Sequence, residues 1–532
     1  MPDLLQRIRE NLIGERNAIK TTFGEKPLIY MDYTASGRSL KFVEDFIQDK
    51  VLPNYANTHS ESSYTGKQMT LLRDQARQQV RESVNASEDH RVIFCGSGAS
   101  AAIAKIIGVL GLSIPSSLED KYNFSQQIPD RERTVVFLGP YEHHSNDLQW
   151  RESTAKVVRI GLDRNGEIDV EQLKEELYLH ADYAKKIGTF SAASNVTGIK
   201  SDVSGITKLL QDRGSLAFWD YAAAAPYVGI DIKTSGADAI FLSPHKLVGG
   251  PGTPGILIAD KKIFNNRVPV IPGGGTVDFV SKTKESYLTN VESREEAGTP
   301  GIVESIRAGL VFKLQSQVGT ELIEEKESAF IKRAIETWRH NPSINILGDL
   351  EASRLAIVSF CITHEGENLH YGLVVAMLND IFGIQARGGC SCAGPYGHEL
   401  LGIDDAASQL LFADVESGNF LNRPGWTRLN FNYFIDEDTF EYAIRAVELI
   451  ADHGHKLAPF YKYNQESGTF NYLGKSISPQ TNLDDLFRNS DLSDDLVDAV
   501  QPTWSLTTLL AEGEEILRNS LQDKVSAESF AN

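Results

Sequence analysis

The chain has 532 residues, 41% of them hydrophobic and 23% charged, with a formal net charge of −20 and four cysteines. That length supports two or more domains with sizeable cores, and the acidic balance argues against a general binder of nucleic acid or anionic membrane. Four thiols in so long a chain do not build a disulfide framework, and the longest apolar stretch, 99–112, is interrupted by Lys105 and too short for a bilayer, so a reducing, cytoplasmic setting is expected.

In chain order, residues 1–20 are expected to form a helical segment, charged and amphipathic without an apolar signal core. Between about residues 90 and 260, short apolar runs alternate with helical patterns. The runs fall at 92–95, 134–138, 156–160, 187–190, 216–219, 239–242 and 256–258; the helices at 101–112, 170–184 and 206–212. This alternation predicts an α/β domain with a largely parallel sheet, whose functional groups gather at the carboxyl ends of the strands. The polar stretch 113–133 reads as a surface excursion. Residues 300–460 mix helices with strands, for example at 355–362 and 427–432, and suit a second, smaller α+β domain. The expected boundaries are 21–295 for the large domain and 296–460 for the small one. From 461 to 532 the chain carries the acidic pairs Asp484-Asp485 and Asp494-Asp495 and a helical pattern at 506–521, an extension to which no function is attached.

The chemistry-bearing residues cluster after the apolar runs. Gly96-Ser97-Gly98-Ala99-Ser100 opens a helix, where free amides and the helix dipole favour a phosphate. The same residues fit a dinucleotide fingerprint through Gly96, Gly98 and Ala101, with Glu119 and Asp120 at the distance of its acidic residue but in a polar segment. That leaves a nucleotide-dependent oxidoreductase as an alternative. His143 and His144 are adjacent on a loop and so poorly placed to share a metal ion; none is expected, whereas an imidazole can stack on a flat ring. Asn195 lies in the loop Ser194-Asn195-Val196-Thr197-Gly198. Asp220 ends a strand, which suits a turn residue or the charge beneath a pyridine ring. Ser243-Pro244-His245-Lys246 delivers a hydroxyl, an imidazole and an amine after the run 239–242. A strand-end amine can form a Schiff base with an aldehyde cofactor, although a surface lysine is the commoner arrangement. The second glycine-rich stretch, 250–255, contains two prolines and runs into a strand, so it is set aside as a fingerprint. Arg387 precedes Cys390-Ser391-Cys392, and a nearby cation favours the nucleophilic thiolate. Arg428 on its strand either faces solvent or meets a carboxylate.

Taken in order, Gly98-Ala99-Ser100, Glu142-His143-His144-Ser145-Asn146, Ser194 to Gly198, Asp220, Ser243 to Lys246, Ala297-Gly298-Thr299-Pro300, Arg387 with Cys392-Ala393, and Arg428 resemble class V aminotransferase-fold enzymes. Within them the pattern is similar to the cysteine desulfurase and selenocysteine lyase branch, which uses pyridoxal 5′-phosphate (PLP). Ile29 to Gly37 resembles that family's first strand and turn, and the likeness spans about residues 20–455. It implies the α/β fold of type I PLP-dependent transferases, a large domain with a mainly parallel seven-stranded sheet plus a smaller α+β domain. It implies that Lys246 carries the cofactor, Asp220 its ring nitrogen and His143 its ring face. Asn195 would face cofactor or substrate, and Ala99, Ser100, Ser243 and His245 would hold the phosphate. Thr299 would reach the phosphate of a neighbouring subunit, implying a homodimer with shared sites. Arg428, with Arg387 beside it, would bind the carboxylate of an amino-acid substrate, and Cys392 would be the sulfur nucleophile serving a possible acceptor protein.

Two departures stand out. Ala223 occupies the position where relatives usually carry a Gln that bonds the ring hydroxyl, and Cys390 adds a second thiol to the loop. Transamination, elimination of a β-substituent or epimerisation without a cysteine nucleophile therefore stand beside desulfuration as expected reactions.

Overall fold

The computed structural model describes residues 4–58, 60–475, 477, 482–484 and 504–519. Its largest sheet has seven strands: β1 (His90–Phe94), β2 (Val135–Leu138), β3 (Lys156–Arg159), β4 (Lys186–Ser191), β5 (Leu216–Asp220), β6 (Ala239–Leu242) and β7 (Ile256–Asp260). Their spatial order is β1-β7-β6-β5-β4-β2-β3. All run parallel except β7, which is antiparallel to both neighbours. Strands β2, β4 and β6 are buried along their whole length, as expected where helices cover both faces of a sheet. The predicted runs match these strands to within a residue or two. The glycine-rich stretch after Lys246 serves as the turn that reverses the chain into β7.

The helices of this layer include α1 (Tyr64–Ser83), α2 (Gly98–Val109), α3 (His144–Arg151), α4 (Val170–Leu179) and α5 (Val203–Asp212). Helix α4 ends at Leu179 instead of running to 184. The chain has to turn there into β4, and Lys186 Nζ closes the turn by donating to Ala181 O (3.3 Å) and Tyr183 O (3.0 Å). The excursion at 113–133 forms two short exposed helices, Ser116–Tyr122 and Phe124–Gln127, and a 3-10 turn. Glu119 sits there bonded to Ser125, not at the end of a second strand, so the dinucleotide fingerprint lacks its acidic partner. A long helix, α6 (Ile302–Val318), packs against α1 and joins the large core through Val311, Phe312 and Leu314.

A second sheet has the order β8-β9-β12-β11, from β8 (Ile344–Ile346), β9 (Ile357–His364), β11 (Arg387–Gly389) and β12 (Trp426–Asn430), with β10 (Glu367–Leu369) hairpinned onto β9. Every pairing in it is antiparallel. Its core, built with α7 (Tyr371–Phe382) and α8 (Glu437–Leu457), also takes in Ile29 and Met31 from the N-terminal region. There the pair Ile29–Tyr30 runs parallel to Ile384–Gln385. The N-terminal region holds a helix at Leu4–Glu10, then a hairpin, Ala18–Thr21 with Gly24–Pro27. In the extension, a hairpin (Tyr461–Asn464 with Thr469–Tyr472) packs on α7, and α9 (Leu506–Asn519) packs on α8 with Leu509 and Leu517 buried. Trp504 Nε1 donates to Arg16 O (2.9 Å), tying this extension to the N-terminal region. Asp485, Asp494, Asp495 and the last two residues of the predicted helix lie outside the described residues. No helix among the described residues is long and apolar enough to cross a membrane.

Candidate active site

Because six strands of the large sheet share one direction, the segments after β1, β2, β4, β5 and β6 emerge along one edge, and the second sheet closes over them. Between them lies a cavity of about 480 Å³, within the usual range of small-molecule sites. Its lining includes Ala99, Ser100, His143, Asn195, Asp220, Ser243, His245, Lys246, Arg387, Cys392 and Arg428. The sequence thus singled out eleven residues that the fold gathers into one place. Thr299 is exposed, bonded to Asn57 Nδ2 (3.1 Å), and outside this lining.

One end of the cavity is built for an anion. Ser97 begins α2 without a side-chain cap, so amides of its first turn are left for another acceptor. Ser243 Oγ accepts from Ala99 N (2.8 Å), and Ser100 Oγ meets Ser145 Oγ at 2.5 Å. Close backbone approach requires glycine at two points. A Cβ on Gly255 would stand 1.9 Å from Gly98 O, and one on Gly98, itself at φ +56°, would meet Ser243 Oγ at 3.0 Å. Burial and the neighbouring Lys246 lower the His245 imidazole to about 4, so hydroxyls and amides surround a neutral ring.

Deeper in, Asp220 is buried, and its Oδ1 accepts the amide of Ala222 (2.8 Å). Burial raises its pKa, a tendency that Lys246 opposes. A cation set against it would relieve that strain, which fits a protonated ring nitrogen. Lys246 sits on the short turn Pro244–Lys246. Desolvation, aided by the Arg428 and Arg387 charges and opposed by Asp220 and Asp32, lowers its amine to about 8. His143 caps α3, its Nδ1 accepting from Ser145 N (3.1 Å). Desolvation, with the charges of Lys246, Arg428 and Arg387 nearby, lowers its pKa to about 3, so the ring is neutral and carries its proton on Nε2. Two buried hydroxyls of the lining, Thr34 Oγ1 and Ser391 Oγ, have no hydrogen-bond partner among the described residues. Buried donors of this kind want a polar guest.

The cysteine loop closes the other side. Cys392 is exposed, Cys390 half-buried, and all four cysteines of the chain are free thiols. Ser391 and Cys392 both hold left-handed backbone, at φ +52° and +57°, a conformation costly for side-chain-bearing residues. It persists because the site grips consecutive carbonyls: Asn195 Nδ2 donates to Ser391 O (2.8 Å) and His144 N to Cys392 O (2.8 Å). His144 Nε2 in turn accepts from Gly394 N (3.0 Å), so the two adjacent histidines serve different loops. Arg428 is buried, donating from Nη1 to Asn195 O (2.9 Å) and from Nη2 to Asp32 Oδ1 (2.8 Å).

Sequence reasoning quoted Asp32, Thr34, Glu142 and His144 within longer motifs but gave them no part. Glu142 is a buried brace: it accepts from Ser191 N (2.8 Å), Ser191 Oγ (2.7 Å) and Asn146 Nδ2 (2.6 Å), fixing the β2 loop to the end of β4. Its signal was the strand-loop position alone. Ala223 lines the cavity beside Asp220 and offers no hydrogen-bonding side chain.

A family model for class V aminotransferases matches residues 29–406. The chain belongs to the class V aminotransferase family. It is therefore a PLP-dependent enzyme, and the hydroxyl-rich seat, buried Asp220 and low-pKa Lys246 fit that cofactor. A probable cysteine desulfurase of Streptomyces coelicolor is 26% identical over 373 residues, covering 69% of this chain and 84% of that one. One of Halalkalibacterium halodurans is 26% identical over 373 residues, covering 69% and 85%. Among solved structures, an apo cysteine desulfurase from Thermococcus onnurineus has a TM-score of 0.65 at 24% identity, covering 80% of this chain and 95% of that one. An Escherichia coli cysteine desulfurase in an S-sulfonic acid form has a TM-score of 0.62 at 20% identity, covering 79% and 93%. These structures share the fold of this class V member, with its mainly parallel seven-stranded sheet.

The lowered amine makes a pH prediction. Only neutral amine attacks an aldehyde, and raising pH removes the proton. Uptake of PLP by the apoprotein should accelerate about tenfold per pH unit below a midpoint near 8 and level off above it, followed by absorbance. A rate still climbing beyond about pH 10, as for an ordinary lysine, would show that the amine is not desolvated.

Proposed function

We propose that this class V enzyme is a cysteine desulfurase-like protein acting on a small amino acid. The observation that carries the reading is Cys392, exposed on a loop held over the cavity that contains Lys246 and Asp220. Bound at Lys246, PLP would supply an electron sink for negative charge at the substrate's α-carbon. The amides of α2, with Ser100, Ser243 and His245, would hold its phosphate; Asp220 would keep its ring nitrogen protonated, and His143 would face the ring. Arg387, with the buried Arg428 beside it, receives the substrate carboxylate. Released when the substrate amine takes its place on the cofactor, Lys246 Nζ then accepts the α-proton, with general-base catalysis of this kind worth about 10²–10⁴-fold. The Cys392 thiolate attacks the substrate sulfur: an S–S bond forms on Cys392, the substrate's C–S bond breaks, and its electron pair stays with the carbon fragment, which is protonated and leaves as alanine.

The finer parts of the proposal are a homodimer in which Thr299 serves the partner's phosphate, a protein acceptor that removes sulfur from Cys392, and a cytoplasmic setting. The exposure of Thr299 away from its own cavity supports the first. The exposure of Cys392 supports the second, and four unpaired thiols support the third. The test is product analysis of the PLP-loaded enzyme with L-cysteine. Alanine and protein-bound sulfur are expected in equal amounts; pyruvate, ammonia and free sulfide without bound sulfur would replace desulfuration with β-elimination.

A further inference from the structure

The two arginines of the cavity stand directly opposite each other. Arg387 and Arg428 are register partners on the antiparallel strands β11 and β12, a position where like charges repel. Asp32 resolves the conflict. Its Oδ2 accepts from Arg387 Nε (3.0 Å) and its Oδ1 from Arg428 Nη2 (2.8 Å), with only 13% of the Asp32 side chain exposed. The local sequence builds this bridge: Tyr30 pairs with Gln385 in a parallel register, so the residues two further along each strand, Asp32 and Arg387, come level.

From this geometry we infer that Asp32 limits the site to substrates with a single anionic acid group, the α-carboxylate. The inference rests on the proposed reading of the cavity as an amino-acid site. Two guanidiniums less one carboxylate leave one net positive charge. Arg387, whose terminal nitrogens make no protein hydrogen bond among the described residues, is left to meet one substrate carboxylate. A second carboxylate on the substrate side chain would find no free cation and would face the charge of Asp32 behind the arginines. Asp32 is outside the lining and acts through the arginines, so it is a positioning residue whose effect belongs in KM.

The test compares PLP-loaded wild-type enzyme with Asp32→Asn and Asp32→Glu. With L-cysteine and L-cysteine sulfinate as substrates, D32N is expected to shift the KM ratio about tenfold or more toward the dianionic compound, with kcat for cysteine changed less than about threefold; D32E is expected to keep the wild-type order. Calorimetry with propionate and succinate, which needs no turnover, should show the same shift in preference. Should D32N fail to fold, the double variant D32N/R387Q restores one net charge and is expected to bind with the wild-type preference, whereas R387Q alone should bind both anions weakly. An unchanged mono- to dicarboxylate preference in D32N, a D32E enzyme that behaves like D32N, or full anion binding by R387Q would overturn the role of Asp32. Absence of turnover of any amino acid by the wild type would instead overturn the proposed function, while the propionate and succinate series would still decide the role of Asp32.

Discussion

Lys246→Ala is expected to lower turnover by more than about 10⁴-fold without unfolding the protein. The substitution removes both the cofactor's covalent attachment point and the base that accepts the α-proton, and no second lysine among the described residues lines the cavity. Stability should change little, because the native amine is already penalised by desolvation, which lowers its pKa to about 8. Truncation removes the Lys246 charge that opposes the burial-driven rise of Asp220, so its carboxyl should become easier to protonate. Lys246→Arg should not rescue activity: a guanidinium keeps its proton at any workable pH and cannot act as a neutral nucleophile. Turnover assays with a thermal melt of each variant check both halves. Substantial activity in either folded variant would contradict the assignment.

Cys392→Ala is expected to reduce sulfur transfer from L-cysteine by about 10³-fold or more while sparing PLP binding. Cys390→Ala should cost less than about threefold, a surface-type effect. The two thiols differ in setting. Cys392 is exposed and lines the cavity; Cys390 is half-buried, outside the lining, and its carbonyl closes the turn by accepting from Ala393 N (3.0 Å). The grips of Asn195 and His144 on the Ser391 and Cys392 carbonyls do not involve the thiol, so alanine should leave the loop in place. Counting protein-bound sulfur by alkylation and mass spectrometry, with PLP content by absorbance, measures both effects. Unchanged sulfur on the C392A enzyme would remove the persulfide step; loss in C390A would move it to the other thiol.

Most of the large sheet was legible because its strands are short apolar runs, several of them buried along their whole length, so each interrupts the helical period clearly. The reversal of β7 was not, since Ile256-Leu257-Ile258 reads the same in either direction and only pairing with β1 and β6 sets its sense. Lys246, Asp220 and Asn195 could be found because each ends or follows a strand, where the parallel sheet delivers its functional groups. Asp32 could not be given a role: it lies 355 residues from Arg387 and 396 from Arg428, and its bridge exists only once the N-terminal strand joins the second domain. His144 was given no role: the sequence assigned a ring-stacking imidazole to His143 alone, whereas the two adjacent rings serve separate loops.

The most direct test of the account is to trap the cofactor where it is attached. PLP-loaded enzyme reduced with borohydride, digested and analysed by mass spectrometry should carry its phosphopyridoxyl group on the peptide containing Lys246. A label on a different lysine, or none on a protein that has bound PLP, would contradict the placement of the chemistry at the end of β6.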